Sequence, residues 1–226
     1  MSTFAGIPSP SATFFGPSEG HDGAVVEIGS SVTKVDVGQR VAVNPLQTCL
    51  RCAYCLSGRS NLCLNRRFFG SAARFPHVQG MFAELFIASE DQCVTIHEST
   101  PFRVAACAEP LGVTLHAIGR AGAILGRKVL VTGSGPIGVL VAASARLAGA
   151  AEIAVPVNKL VAKELELVGT FLSREEFRWA VDALVHGRID IDPILTGEFS
   201  LADAIGAFEL ASDRSKAMKV SLVANG

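Results

Sequence analysis

Cys49-Leu-Arg-Cys52-Ala-Tyr-Cys55-Leu-Ser-Gly58-Arg-Ser-Asn-Leu-Cys63 is the stretch on which the reading turns. Its spacing is C-x2-C-x2-C-x7-C. Two-residue gaps let a tight turn aim consecutive thiolates at one point. The seven-residue gap lets the loop circle back, and Gly58 eases the bend. A closed structural zinc site takes four such ligands in a tetrahedron, each about 2.3 Å from the metal. The loop has few apolar residues with which to pack itself, so metal is the agent that organises it; structural zinc contributes about 10–16 kcal/mol in small peptides near neutral pH. The alternative is four unrelated buried thiols. Four thiolates leave no open position, so a zinc held by Cys49, Cys52, Cys55 and Cys63 is structural and does no chemistry. The remaining cysteines, Cys93 and Cys107, lie in apolar contexts and read as buried thiols.

On either side of the cluster the pattern is that of a folded α/β chain. Before it, residues 24–44 run AVVEIG, SSVTKVDVGQ and RVAVN, which is β-meander material. Residues 1–20, rich in Pro, Ser, Gly and Phe, read as a loose arm. After it, residues 80–97 return to strand character. Residues 101–122 carry apolar residues at helical spacing, with Pro101 at the start. Then KVLVT is a short buried strand, GSGPIG a turn, residues 136–148 a helix with Pro at its first turn, and AEIAV a second strand. Amphipathic helices follow over 174–187 and 200–212, the second with Ser200 as N-cap, and KVSLV closes the chain as a strand.

Gly133, Gly135 and Gly138 make G-x-G-x-x-G, with Pro136 and Ile137 between. The motif follows a strand, opens a helix and is succeeded by another strand, the context that makes it a dinucleotide cradle. The first glycine permits the turn, the second lets the backbone approach a pyrophosphate, and the third allows close packing. A glycine turn that packs with no ligand is the alternative. A ribose-binding acid belongs about 20 residues on. Glu152 stands at the wrong end of the second strand, and Pro156, Val157 and Asn158 occupy the acid's place, so NAD and NADP are not distinguished.

The bulk numbers bound the function. The 226 residues are 49% hydrophobic and 18% charged, enough to bury a core. Net charge is −1, with no basic stripe, which argues against a nucleic-acid partner. The longest predominantly apolar uncharged stretch, residues 129–145, holds three glycines and a proline and is shorter than the roughly 20 residues of a membrane span. No signal-peptide pattern opens the chain. Six cysteines without one point to metal and free thiols in a reducing cytoplasm.

A cysteine lobe, a β-rich region before it and a Rossmann start after it resemble, in that order, the zinc-containing medium-chain alcohol and polyol dehydrogenases. GQRVAVNP before the cluster and AEPLGVTLHAIGRAG after it are similar to that family's phrases. RRFFGSAARFPHVQGMFAEL looks like the L-idonate 5-dehydrogenase branch. The resemblance implies an α/β fold with a GroES-like β-rich catalytic domain over residues 1–118, carrying a zinc lobe at 45–67. It implies a partial Rossmann domain over 119–171 and a C-terminal return to the catalytic domain over 172–226. It further implies oxidation of a secondary hydroxyl of a small sugar acid or polyol, with hydride transfer to NAD or NADP and a second, catalytic zinc as Lewis acid. Carried over residue by residue, that zinc's ligands include His21, in Gly-His-Asp where the family has Gly-His-Glu, and Glu109 in AEPL. A surface histidine and a solvated carboxylate are the alternatives for these two. His116 reads as a packed core histidine and His77 as a loop residue. The family forms homo-oligomers.

The pattern also departs from the family. No cysteine precedes Cys49, so His21 and Glu109 fall short of three protein ligands. Of a Rossmann strand order 3-2-1-4-5-6, strands 1, 2 and 6 alone are assignable, and the segment that forms the dimer falls in the lost stretch. The second expectation is therefore a non-catalytic zinc-binding remnant of such an enzyme.

Overall fold

The computed structural model describes residues 12–15, 22–133, 135–154 and 170–223. Five strands form an antiparallel sheet in the order β6-β1-β2-β3-β7, with β1 at Ala12–Phe15, β2 at Asp22–Ile28, β3 at Arg40–Val43, β6 at Phe86–Ser89 and β7 at Cys93–Thr95. β3 shows why the sheet sits where it does. Its side chains alternate in direction, yet Val41, Ala42 and Val43 are all fully buried. Val41 and Val43 join Val25, Met81, Ala88 and Cys93 on one face. Ala42 joins the helical core on the other.

Two expectations about this region are corrected. Within the supposed loose arm, Ala12–Phe15 is a strand inside the sheet, paired with β2 (Thr13 opposite Ile28) and β6 (Ala12 opposite Ser89). Four residues are too few to display a period, which is why the pattern did not reveal it. Conversely, SSVTKVDVGQ is a loop. It buries Val32 and Val35, and the backbone N–H groups of Thr33 and Lys34 both donate to Glu90 Oε2 at 2.8 Å. Those two buried valines produced the strand-like signal.

The helical core is built on α3, Ala108–Ala121. The sequence predicts one helix over 101–122, but the structure holds two: α2 spans Phe102–Ala105, and a turn at 106–107 precedes α3. Pro110 explains the break, because a proline ring crowds the carbonyl four residues earlier, here Ala106. Gly122, at φ 77°, ends α3.

On one side α3 packs against α5, Glu176–Val185, and on the other against α4, Pro136–Leu147. Leu111, Phe177, Ala180, Leu184 and Leu140 fill the space between. Gly112 allows the close approach to α5, since a Cβ there would lie 3.1 Å from Phe177 Cα. Buried polar pairs cross both contacts: Thr114 with Ser144 at 2.9 Å, and His116 Nδ1 with Glu176 Oε1 at 3.0 Å.

The dinucleotide-type unit is β8 (Lys128–Leu130), α4 and β9 (Glu152–Ala154), with β8 and β9 parallel. The anticipated strand 6, in ELELVGTF, falls almost wholly outside the described residues. Near the C-terminus a strand not foreseen, β10 at Leu195–Ser200, runs parallel to β11 at Lys219–Val223, with α6, Ala204–Ser212, packed on both. Ser200 caps the turn before α6 by accepting from Asp203 N.

Candidate metal centre and glycine turn

The cysteine lobe hangs from a two-strand neck, β4 (Leu46–Gln47) against β5 (Arg67–Phe68). Inside it, one helical turn, α1 (Ala53–Leu56), starts at Cys52 and is closed by Gly58, which takes the left-handed φ of 72° and donates to Cys55 O at 3.1 Å. Leu50, also left-handed at φ 55°, reverses the chain between the first two cysteines. Three of the lobe's leucines point outward, Leu50, Leu56 and Leu64 all being more than half exposed, and Leu62 is half-buried. It has no apolar interior of its own.

What it has is sulfur. All four Sγ atoms, of Cys49, Cys52, Cys55 and Cys63, lie within 4.8 Å of one another. Cys63 and Cys49 are 3.5 Å apart, Cys52 and Cys55 3.6 Å, and Cys49 and Cys55 4.0 Å. Disulfides require about 2.05 Å, so none is formed. Four sulfurs each about 2.3 Å from one centre make a tetrahedron with edges of about 3.8 Å. The observed separations bracket that edge, so the donor set fits a closed zinc site. The Cys49 backbone N–H donates to Cys63 Sγ at 3.3 Å, a contact that would steady the charge of a bound thiolate. In the protein alone, the Arg51 backbone N–H holds the Cys49 thiol down at about 6, whereas burial pushes Cys55 up to about 12. Cys93 and Cys107 are buried away from this group, as the sequence implies.

The lobe is fastened to the rest of the chain at a distant point in sequence. Asn61 Nδ2 donates to Phe171 O at 2.9 Å, and Arg174 donates to Gly58 O at 3.0 Å. The Arg66 guanidinium lies 5.0 Å from the Phe171 ring centre. Sequence reasoning missed these partners, because residues 110 and 116 positions apart leave no local signal of contact.

The glycine turn lies between β8 and α4. Gly133 takes φ 100°, closed to most side chains, and Gly135 is the N-cap of α4 with Pro136 at its first position. Ile137 is half exposed at the helix start. Gly138 answers a tighter constraint than helix–strand packing: a Cβ there would sit 2.0 Å from Gly133 O. The third glycine is what lets the turn fold back on the first. First-turn N–H groups of a helix have no partner within it, so the turn and helix start fit a phosphate group.

Of the residues assigned to a catalytic zinc, Glu109 stands half-buried in the first turn of α3. Burial raises its carboxyl above the usual carboxylate range, partly offset by the Lys219 ammonium. His21 lies outside the described residues. Among the described residues, the four cysteines are the one group of three or more metal-binding side chains. His116 is a buried core histidine bonded to Glu176, and His77 is exposed, 6.0 Å from the Phe75 ring. No helix among the described residues is long and apolar enough to cross a membrane.

Comparison with known proteins gives a consistent set of likenesses. Residues 9–98 match the family model of the alcohol dehydrogenase GroES-like domain. L-idonate 5-dehydrogenase (NAD(P)(+)) of Escherichia coli (strain K12) is 29% identical over 279 aligned positions, covering 90% of this chain and 81% of that relative. That alignment is longer than the chain itself, so it carries internal gaps opposite the relative. A probable D-xylulose reductase A of Aspergillus terreus is 38% identical, over 62% of this chain but 39% of its own length. The crystal structure of the Escherichia coli L-idonate 5-dehydrogenase superposes with a TM-score of 0.88 at 26% identity, covering 95% of this chain and 92% of that one.

Proposed function

We propose that the chain, similar along most of its length to an L-idonate 5-dehydrogenase and over residues 9–98 to the alcohol dehydrogenase GroES-like domain, is a zinc-containing medium-chain dehydrogenase that oxidises a secondary hydroxyl of a sugar acid or polyol, with a nicotinamide cofactor as hydride acceptor. The observation that carries this reading is the joint presence, in one L-idonate-dehydrogenase-like fold, of the tetrahedral sulfur group and the strand–glycine turn–helix. Cys49, Cys52, Cys55 and Cys63 would hold one structural zinc, whose role is to shape the lobe. Gly133, Gly135, Pro136, Ile137 and Gly138 would hold the cofactor's phosphates. When bound there, the cofactor would supply a hydride acceptor, the hydroxyl proton passing to solvent, so that alcohol and NAD(P)⁺ would become ketone, NAD(P)H and H⁺. Glu109 is the proposed ligand of a second zinc, with His21 as its partner. Among the described residues no further metal-binding side chain joins Glu109 in a group of three. The free thiols fit a reducing compartment such as the cytoplasm.

A specific observation favours a second reading, a zinc-binding remnant without turnover. Between Ala154 at the end of β9 and Glu176 at the start of α5 there is too little chain for the missing middle of a six-stranded Rossmann sheet. Metal analysis of the freshly purified chain, together with an absorbance assay at the reduced-nicotinamide band, separates the two. L-idonate, sorbitol and xylitol are offered with NAD⁺ and with NADP⁺. Two zincs per chain and turnover of one of these substrates support the dehydrogenase. One zinc and no turnover leave the remnant.

A further inference from the structure

A cleft of about 410 Å³ lies between the cysteine lobe and the C-terminal half of α3, away from both the glycine turn and Glu109. His116 and Arg120 stand 7 and 11 residues beyond Glu109 on the same helix, about 10 and 16 Å along its axis. The lobe contributes Arg59 and Asn61 to the wall, α3 contributes His116 and Arg120, and the segment before α5 contributes Thr170 and Arg174. Three guanidiniums and an imidazole thus face one space. Among the described residues the one carboxylate bonded to this group is Glu176, which accepts from His116 Nδ1 at 3.0 Å and the Arg174 backbone N–H at 2.7 Å and lies 3.7 Å from the Arg174 guanidinium, so Arg59 and Arg120 are the cations of the cleft that it leaves without a carboxylate. Arg59 stacks on Tyr54, its guanidinium 5.2 Å from the ring centre, and lacks an acidic partner among the described residues. Arg120, exposed, lacks one too. Like charges gathered at one cleft repel one another unless an anion joins them, and guanidinium forks match carboxylate and phosphate oxygens bidentately. The adjoining segment is also held in a costly shape: Leu172 takes the left-handed φ of 54°, a conformation retained by a non-glycine residue where the surroundings demand it.

We infer that this cleft is a binding site for a small organic oxyanion, a carboxylate or phosphate ester, distinct from the proposed reaction centre. Arg59, Asn61 and Leu62 come from the loop between the third and fourth cysteines, so one wall exists in this shape only while the metal holds the lobe. Anion binding and zinc retention are then linked, each strengthening the other.

The test is calorimetric titration of the zinc-loaded full chain at low ionic strength, without nicotinamide cofactor. The probes are inorganic phosphate and sodium gluconate, with xylitol as the uncharged control. The expected result is a saturable site for at least one anion that depends on Arg120, the preferred anion identifying the class, whereas any xylitol binding, at the proposed reaction centre, is indifferent to Arg120→Ala. Arg120→Ala weakens that site by about tenfold or more, the worth of a hydrogen bond to a charged group, and Arg120→Lys weakens it less. Chelator-stripped chain loses the site. Phosphate lodged at the glycine turn would ignore Arg120→Ala, so an unchanged affinity in that variant overturns the inference. So do the absence of saturable binding by either anion and full affinity in stripped chain. Arg120 is exposed and bonded to nothing described, so this variant keeps its fold; Arg59→Ala, checked for zinc content, repeats the measurement from the opposite wall.

Discussion

At Gly138 an added Cβ would lie 2.0 Å from the carbonyl oxygen of Gly133 and 2.8 Å from its carbon, whereas at Gly135 it would meet nothing within 4 Å. Both atoms opposite Gly138 are backbone and cannot rotate away. Gly138→Ala is expected to cost about 1–3 kcal/mol in denaturant unfolding, as overpacking does, and to abolish nucleotide binding read by fluorescence titration of NADH. Gly135→Ala, at φ −73°, should cost about 1 kcal/mol or less. Equal effects would mean that the turn is not shaped as described. The buried pair between α3 and α5 gives a pH prediction. Burial alone would raise the Glu176 carboxyl, but hydrogen bonds from His116 and the Arg174 backbone hold it below its ordinary value. A depressed carboxylate stabilises the fold fully above its unfolded value, near 4.5, and that contribution is lost as pH falls through the folded one. Glu176→Gln is therefore expected to flatten the acid limb of the stability–pH curve. At neutral pH it should cost about 1–3 kcal/mol from the weakened buried hydrogen bond. An acid limb as steep as that of the unsubstituted chain would show that another carboxylate governs it. The glycine spacing was legible in the sequence; the Glu176 partnership was not, because 60 residues separate it from His116.

Elements differ in how openly their sequence announces them. The cysteine lobe was readable from spacing alone, since its shape is dictated by ligands and not by neighbours. The helix at 101–122 was readable as helical but not as divided, because apolar periodicity runs through the break. β1 and β10 were missed: strands of four and six residues take their identity from pairing, which is nonlocal. If metal organises the lobe, Cys63→Ala should leave the chain short of one zinc by mass spectrometry of the native protein. Protease should then cleave between residues 49 and 63, and global stability should fall by more than about 5 kcal/mol, a fraction of what structural zinc supplies. A lobe that stays protease-resistant after zinc removal would contradict its lack of an apolar interior.

For the molecule as a whole, the uneven distribution of buried contacts sets which parts open first. α3 and α5 share the fully buried Leu111, Phe177 and Ala180, while β8 and β9 are paired through three residues each, with Lys128 exposed. A two-stranded unit is marginal by itself. Hydrogen exchange is expected to show the amides of Val129, Leu130, Ile153 and Ala154 opening well below the global free energy, and those of α3 and α5 opening near it. Equal protection would mean that further strands flank this pair. The bonds that tie Asn61 to Phe171 and Gly58 to Arg174 carry a consequence for biosynthesis. At synthesis rates of about 5–20 residues per second, the cysteines leave the ribosome roughly 5–20 s before their docking partners are made. During that interval the nascent thiols must capture their ion unaided and wait, fully formed, for the later half of the polypeptide to arrive.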